Sequence, residues 1–439
     1  MGTYKRSLER SVMFYGTREH PDVAQTLNNM GAVARSQGRL DDALAFYQES
    51  LDINVKINDT REHPSVAQTV MNMGNVARSQ GRLDDALAFY QESLDINIQV
   101  YGTREHPEVA RTLNNMGNVA SDQRRLDDAL AFYQEDLDIT TKVYGTRKHP
   151  DVAQTLNNMG GVARSQGRLD EALTFYQEAL DINGKIYGTR ENPDAAMILN
   201  NMGLLASDQG RLDDALAFYR ESFNIMVKVY GTREHPDVAQ ILSNMGNVVG
   251  NLGYLDDALT FYQESLDITI KVHGTREHPD VSTTLFNIGL VAKDQDRLGE
   301  ALAFFRESLD IRVKVNGTSK DPTAATILDN MGNVASSLGR LSEAVAFYQE
   351  SLDITINIGD TLERVDIGQI MNCICHYSRL LGDISKALHY ASRCLDIYLK
   401  LYGSREHSPV ACVLDEIGWI HFLQSDFHKA LEYHTEALD

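Results

Sequence analysis

The sequence predicts an all-α solenoid of about ten antiparallel helix hairpins, and three observations carry that expectation. Eight of the nine prolines stand at 21, 64, 107, 150, 193, 236, 279 and 322, each 43 residues after the last. Only Pro409 falls out of register, by one residue. Alanine keeps the same period at 43, 86, 129, 172, 215, 258, 301, 344, 387 and 430. Glycine follows at 31, 74, 117, 160, 203, 246, 289 and 332, gives way to Cys375 and returns at Gly418. Self-similarity at a fixed period means stacked copies of one supersecondary unit. It replaces the three or so separate domains that 439 residues would otherwise suggest.

The chain therefore divides into residues 21–407, holding nine full units, and 408–439, holding a tenth that stops within its second helix. Tyr4, Leu8 and Val12 are in phase with Tyr47, Leu51 and Val55, so 1–20 is expected to be the second helix of a preceding partial unit. Neither end carries the polar cap that solenoids use to cover a terminal apolar face. A fragment of a longer protein, or a chain that self-associates through its ends, fits that pattern.

The fourth unit shows how each element arises. From Pro150, apolar residues recur at Val152, Leu156, Met159, Gly160 and Ala163, one stripe of a helix. Proline suits the first turn, where its missing N–H has no intrahelical partner. Gly167 breaks that helix. Leu169 with Asp170 and Glu171 opens the second, placing negative charge at the positive end of the dipole. This second helix runs to about Tyr187 with apolar stripes on two sides, as expected of a helix sandwiched between neighbours. Gly188-Thr189-Arg190 turns the chain into the next unit. Gly160 and Ala172 are small, which lets the two helices approach closely.

Composition removes several function classes. With 41 Lys plus Arg against 62 Asp plus Glu, the net charge of −21 opposes binding to a phosphate backbone. No apolar run approaches the ~18 residues that suggest a bilayer span. The first twenty residues lack a secretory core, and Arg6 stands where a myristoylation signal wants Ser or Thr. Four cysteines make no disulfide framework. These readings predict a cytoplasmic protein without nucleic-acid or membrane partners.

The string NMGNVARSQGRLDDALAFYQESLDI, from Asn72 to Ile96, resembles the tetratricopeptide repeat (TPR). The 43-residue length and the HPDVA…TLNNMG opening resemble the extended subtype found in kinesin light chains. They also resemble arrays that follow nucleotide-switch domains in some sensor proteins. The resemblance spans residues 21–439. It implies a right-handed superhelix whose first helices line a concave groove, and an adaptor or scaffold that binds an extended partner peptide there. A ligand-sensing array of a larger switch protein and a self-associating structural array stay open as alternatives. No heptad segment for pairing with a motor chain is present in this sequence.

Opposite the apolar stripe of the first helices lies an amide-rich face. Asparagine recurs at 29, 72, 115, 158, 201, 244, 287 and 330, with a second rung at 75, 118, 247 and 333. Amides offer donors and an acceptor that match an extended peptide backbone. Flanking arginines could select acidic residues of that peptide. The candidate peptide-binding residues are Gln68, Asn72, Asn75, Arg78, Arg111, Asn115, Asn118, Gln154, Asn158, Arg164, Asn201, Asn244 and Asn247. Units two to four carry the most regular set, and Asn115, Asn158 and Arg164 are expected to be exposed. The competing reading has the amides bonding between adjacent helices and stiffening the array. Lysine is absent from the Gln154 and Asn157 slots throughout, which argues against a carboxylate clamp for a chaperone tail.

Catalytic and metal chemistry find little support. His20, His63, His106, His149, His235 and His278 precede the repeated helix starts, and copies 43 residues apart are too distant to share one ion. They read as turn or capping residues. Cys373, Cys375, Cys394 and Cys412 read as core cysteines; the first two lie two apart on a helix and point to opposite sides. Acidic pairs such as Asp41-Asp42 read as helix-start charges. The sequons at Asn58 and Asn316 arise from turn chemistry. Phosphate loops, HExxH helices and nucleophile elbows are missing from the sequence, so no enzyme, metal or cofactor is expected. Trp419 takes a groove-facing slot and reads either as a binding anchor or as packing for further chain.

Overall fold

A computed structural model describes residues 2–316, 321–358 and 364–438 of the chain. Among the described residues, all regular structure is helical, in 21 α-helices. The chain forms two compact units, residues 1–229 and 230–439. The first begins with α1 (Gly2–Tyr15) and continues through α2 (Pro21–Ser36), α3 (Leu40–Asn58), α4 (Pro64–Ser79), α5 (Leu83–Tyr101) and α6 (Pro107–Asp122). It is completed by α7 (Leu126–Tyr144), α8 (Pro150–Ser165), α9 (Leu169–Tyr187), α10 (Pro193–Asp208) and α11 (Leu212–Tyr230), whose last residue falls past the division. The second unit holds α12 (Pro236–Asn251), α13 (Leu255–His273), α14 (Pro279–Asp294), α15 (Leu298–Asn316) and α16 (Pro322–Ser337). It ends with α17 (Leu341–Ile358), α18 (Val365–Leu380), α19 (Ile384–Tyr402), α20 (Ser408–Leu423) and α21 (Phe427–Leu438). Helices pair as α2 with α3 and α4 with α5, and α3 and α5 in turn pack against the next first helix. This is the repeated helix pairing of a TPR solenoid. The side chain of Tyr4 and the sequon at Asn316 lie outside the described residues.

A glycine and an aromatic ring lock most of the pairs. A Cβ added to Gly160 would stand 2.6 Å from Tyr176 Cε1, inside the contact distance of two carbons. The same wedge joins Gly31 to Tyr47, Gly74 to Tyr90 and Gly117 to Tyr133, and all these rings are buried. Small size at Gly160 thus makes room for a ring. Where Cys375 replaces the glycine, the matching position on the second helix is Ala391, so added volume on one helix is removed from the other.

The second-rung asparagines serve these rings. Asn75 Oδ1 accepts from Tyr90 Oη at 2.7 Å, Asn118 Oδ1 from Tyr133 at 2.9 Å and Asn247 Oδ1 from Tyr262 at 2.6 Å. A buried hydroxyl needs such a partner to offset its lost hydration. Other pairs place Ala32, Gly161 and Leu204 in that slot, facing Tyr47, Tyr176 and Tyr219, and Leu290 faces Phe305, which has no hydroxyl to satisfy.

Helix starts are capped by the repeated histidines. His106 has extended backbone, and its Nδ1 accepts from Glu108 N at 3.2 Å, while its ring stacks on Tyr101 at 3.4 Å. Asn192 and Asp321 provide the same cap to α10 and α16. His106→Ala is expected to cost about 1 kcal/mol, the usual loss of an N-cap, whereas His106→Asn should keep most of it. Chemical denaturation of the three proteins checks this; equal midpoints would show that the cap contributes nothing.

Between paired helices the chain turns through a left-handed residue, as at Gly167 (φ 75°). Arg124, Asp296 and Ser425 occupy the same slot with φ of 62°, 59° and 65°, a conformation that costs a non-glycine residue energy. Cys375 and Cys394 are buried, and burial pushes both thiols up to about 12. Cys373 is half-buried. Cys412 corrects the expectation of four core cysteines: it takes the outward slot of Gln25, Gln68 and Gln154 and is exposed. Among the described residues, no helix is long and apolar enough to cross a membrane.

Candidate functional site

In the first unit, α4, α6 and α8 bring six of the expected peptide-binding residues around one cavity of about 420 Å³. Gln68, Asn72, Asn75, Arg111, Asn115 and Gln154 all line it, beside Arg35, Glu108, Asp136, Tyr144 and Asp151. They meet because residues 43 or 44 apart fall on neighbouring first helices. Arg111 and Gln154 are exposed, and the four amides between them are half-buried.

The first asparagine rung is engaged between helices. Asn72 Nδ2 donates to Asn28 Oδ1 at 2.7 Å, Asn158 Nδ2 to Asn114 Oδ1 at 3.2 Å and Asn201 Nδ2 to Asn157 Oδ1 at 2.9 Å. Asn115 Nδ2 lies 3.4 Å from Met71 Sδ. The exposure expected of Asn115 and Asn158 is therefore corrected to half-buried, because each amide reaches back to the preceding first helix. Gln68 Nε2 donates to Asn72 Oδ1, and Gln68 Oε1 accepts from Arg111 Nη2 at 2.6 Å.

The arginines are likewise engaged. Arg78 Nε donates to Asp122 at 2.6 Å, and Arg164 Nε to Asp208 at the same distance. Arg111 pairs with Glu108 on its own helix. Each guanidinium thus already meets a carboxylate of the chain, and half-buried Arg164 is not the exposed residue expected. The partners were readable: the first helices ending Arg78-Ser79 and Arg164-Ser165 are each followed by one ending Ser-Asp, at 121–122 and 207–208.

Asp136 was missed. It stands where Ser50 and Ser93 occur in other pairs, is 3% exposed, and accepts from Asn114, Thr155 and Thr140. Burial raises its carboxyl above the ordinary value, while those three hydrogen bonds work the other way. Its signal was a charge in a slot otherwise filled by small residues.

In the second unit, Asn244 and Asn247 line a smaller cavity of about 150 Å³ with Gln240, Asn287, His273 and Asp280. Asn244 is buried and accepts from Gln240 at 3.3 Å, while Asn247 is exposed. Further along, Glu416 replaces the regular asparagine and binds Arg379 Nε at 2.7 Å and His376 Nδ1 at 2.6 Å. Burial opposes its charge, but the hydrogen bonds from Arg379 and His376 hold its carboxyl below the ordinary value. Trp419, 44% exposed, stands edge-on to Phe422 and His434.

The family model of the tetratricopeptide repeat matches residues 3–54, 65–142, 108–185, 151–228, 194–271, 237–313, 280–357 and 366–439. The chain belongs to the tetratricopeptide repeat family. Such repeats are protein-interaction scaffolds, typically without enzymatic activity. Among solved structures, the chain is similar to BtubC (BKLC) from P. vanneervenii, with 22% identity and a TM-score of 0.46. That match covers 54% of this chain and 93% of the other. It is also similar to a putative kinesin light chain with nearly identical TPR-like repeats from Podosopora anserina, with 16% identity and a TM-score of 0.40. There 48% of this chain and 98% of the other are covered. A single-substitution form of that protein gives 15% identity and a TM-score of 0.41, covering 48% and 99%. No curated protein matches.

Proposed function

We propose that the chain is a cytoplasmic adaptor, kinesin-light-chain-like in its repeats, that holds an extended segment of a partner protein in the cavity lined by α4, α6 and α8. The observation that supports this reading is the convergence of six predicted residues on one cavity within the family's interaction scaffold. Arg111 and Gln154 are the exposed polar groups that would meet a peptide backbone, while Asn72, Asn75 and Asn115 form the half-buried floor. Arg78, Arg111 and Arg164 are already paired with carboxylates, so Arg35, exposed on the same cavity, is the guanidinium that would meet an acidic residue of the partner.

The test is a peptide-library binding screen on the parent chain and on the double variant Arg111→Ala/Gln154→Ala. Both residues are exposed, so the variant is expected to fold, and a thermal melt verifies this. Peptides enriched on the parent should bind the variant at least tenfold more weakly. Binding that ignores both substitutions would place the peptide elsewhere and sink this reading. Asn158→Ala, whose partner is Asn114 on the preceding pair, should lower stability more than it lowers affinity.

A further inference from the structure

Five residues before most of the capping histidines the chain places an aromatic ring that stacks on the imidazole. Tyr15 meets His20 at 3.4 Å between ring centres, Tyr144 meets His149 at 3.6 Å and Tyr230 meets His235 at 3.6 Å. In one repeat the outer ring is itself an imidazole: His273 lies on His278 at 3.6 Å, with 12° between the planes. A stack needs only a flat ring. Histidine adds a nitrogen lone pair that tyrosine lacks.

The surroundings supply a third ligand. Asp280 follows His278 by two residues, and a ligand atom from each of His273, His278 and Asp280 lies within 4.8 Å of the other two. The side-chain Nδ1 of His278 accepts the Asp280 N–H at 3.2 Å and lies 3.6 Å from Asp280 Oδ2, so the lone pair of that ring already sits beside the carboxylate. Rigid helices hold the two histidines, because α13 ends at His273 and α14 begins one residue after His278. His273 and Asp280 also line the 150 Å³ cavity.

We propose that His273, His278 and Asp280 form a binding site for a divalent transition-metal ion of the zinc class. Two imidazoles and a carboxylate suit such an ion, and three protein ligands leave a further position open. Bonds of about 2.0–2.2 Å bring ligand atoms to roughly 3.3 Å apart. Binding therefore opens the stack, by rotation of the exposed His273 and Asp280 side chains towards His278 Nδ1, which exchanges the Asp280 N–H for the ion. Comparing histidines 43 residues apart could not find this site, since its two rings are five apart and only one belongs to the repeated set.

The chain contains its own control residues. Tyr230 occupies the slot of His273, Asn192 that of His278 and Ser65 that of Asp280. His273→Tyr, His278→Asn and Asp280→Ser therefore install residues the fold already carries, and Asn192 caps its helix as a histidine does. The full chain and each variant would be titrated with ZnCl2 by calorimetry, and with Co2+ by visible absorption, after thermal melts have verified folding. The parent should take up one ion saturably, and each variant should bind at least tenfold more weakly, with the tetrahedral Co2+ spectrum lost. Unsaturable binding to the parent, or an unchanged affinity after His273→Tyr, would overturn the proposal.

Discussion

Gly160→Ala is expected to destabilise the chain by about 2 kcal/mol, within the roughly 1–3 kcal/mol that overpacking a core costs. The added Cβ would stand 2.6, 2.8 and 2.9 Å from three carbons of the Tyr176 ring, which is fully buried. Alanine's better helix propensity returns about 1 kcal/mol, too little to reverse the sign. Burial also pushes the Tyr176 phenol up to about 12. The ninth pair, with Cys375 opposite Ala391, indicates how the clash is relieved. Gly160→Cys combined with Tyr176→Ala should lose less than the sum of the two single changes, by more than about 1 kcal/mol, the signature of coupled neighbours. Urea denaturation of the four proteins provides the comparison. Additive losses would mean that the ring and the glycine act independently.

A second large effect comes from Asp329, on α16, at the slot that holds Asn28, Asn114 and Asn157 in other pairs. Burial pushes its carboxyl up to about 6, with a smaller opposing contribution from the Ser351 hydrogen bond. Among the described residues, its Oδ1 finds no hydrogen-bond partner. An unfolded aspartate titrates near 3.9, so the folded chain keeps a proton that the unfolded chain releases. Stability from this group is fully present below about pH 4 and is lost as pH rises to about 6. At pH 7 the ionised group should cost roughly 2 kcal/mol, allowing for its partial exposure. Asp329→Asn is expected to remove that pH dependence and to raise the melting temperature at pH 7 by roughly 4–8 °C. Melts of parent and variant from pH 4 to 7 decide the matter; parallel curves would exclude Asp329 as the source.

The helices were legible because proline, glycine and acidic residues punctuate them at positions with local causes. Pro150, Leu169 and Tyr187 bound their helices where punctuation puts them, since φ restriction and dipole effects need no distant partner. The histidine caps were legible for the same reason. The gathering of Gln68, Arg111 and Gln154 was legible too, because one period of the sequence is one step of the stack. The partners of the amides were harder to read. Whether Asn158 faces solvent or bonds to Asn114 depends on how closely neighbouring first helices approach, a distance that no single unit encodes. Asp136 and the His273–His278 pair were overlooked because both depart from the repeated pattern, and periodic reading favours what recurs.

The wedges and ladders differ in a way that bears on how such an array changes length. Gly160 and Tyr176 lie sixteen residues apart within one repeat, so a gene segment of 43 codons carries both when it is duplicated or deleted. Arg78 with Asp122, and Arg164 with Asp208, are 44 residues apart and belong to successive repeats. Loss of a single copy would strand one member of such a pair, whereas loss of two adjacent copies can remove both together. Copy number is therefore freer to change in steps of two across α4 to α10 than in steps of one.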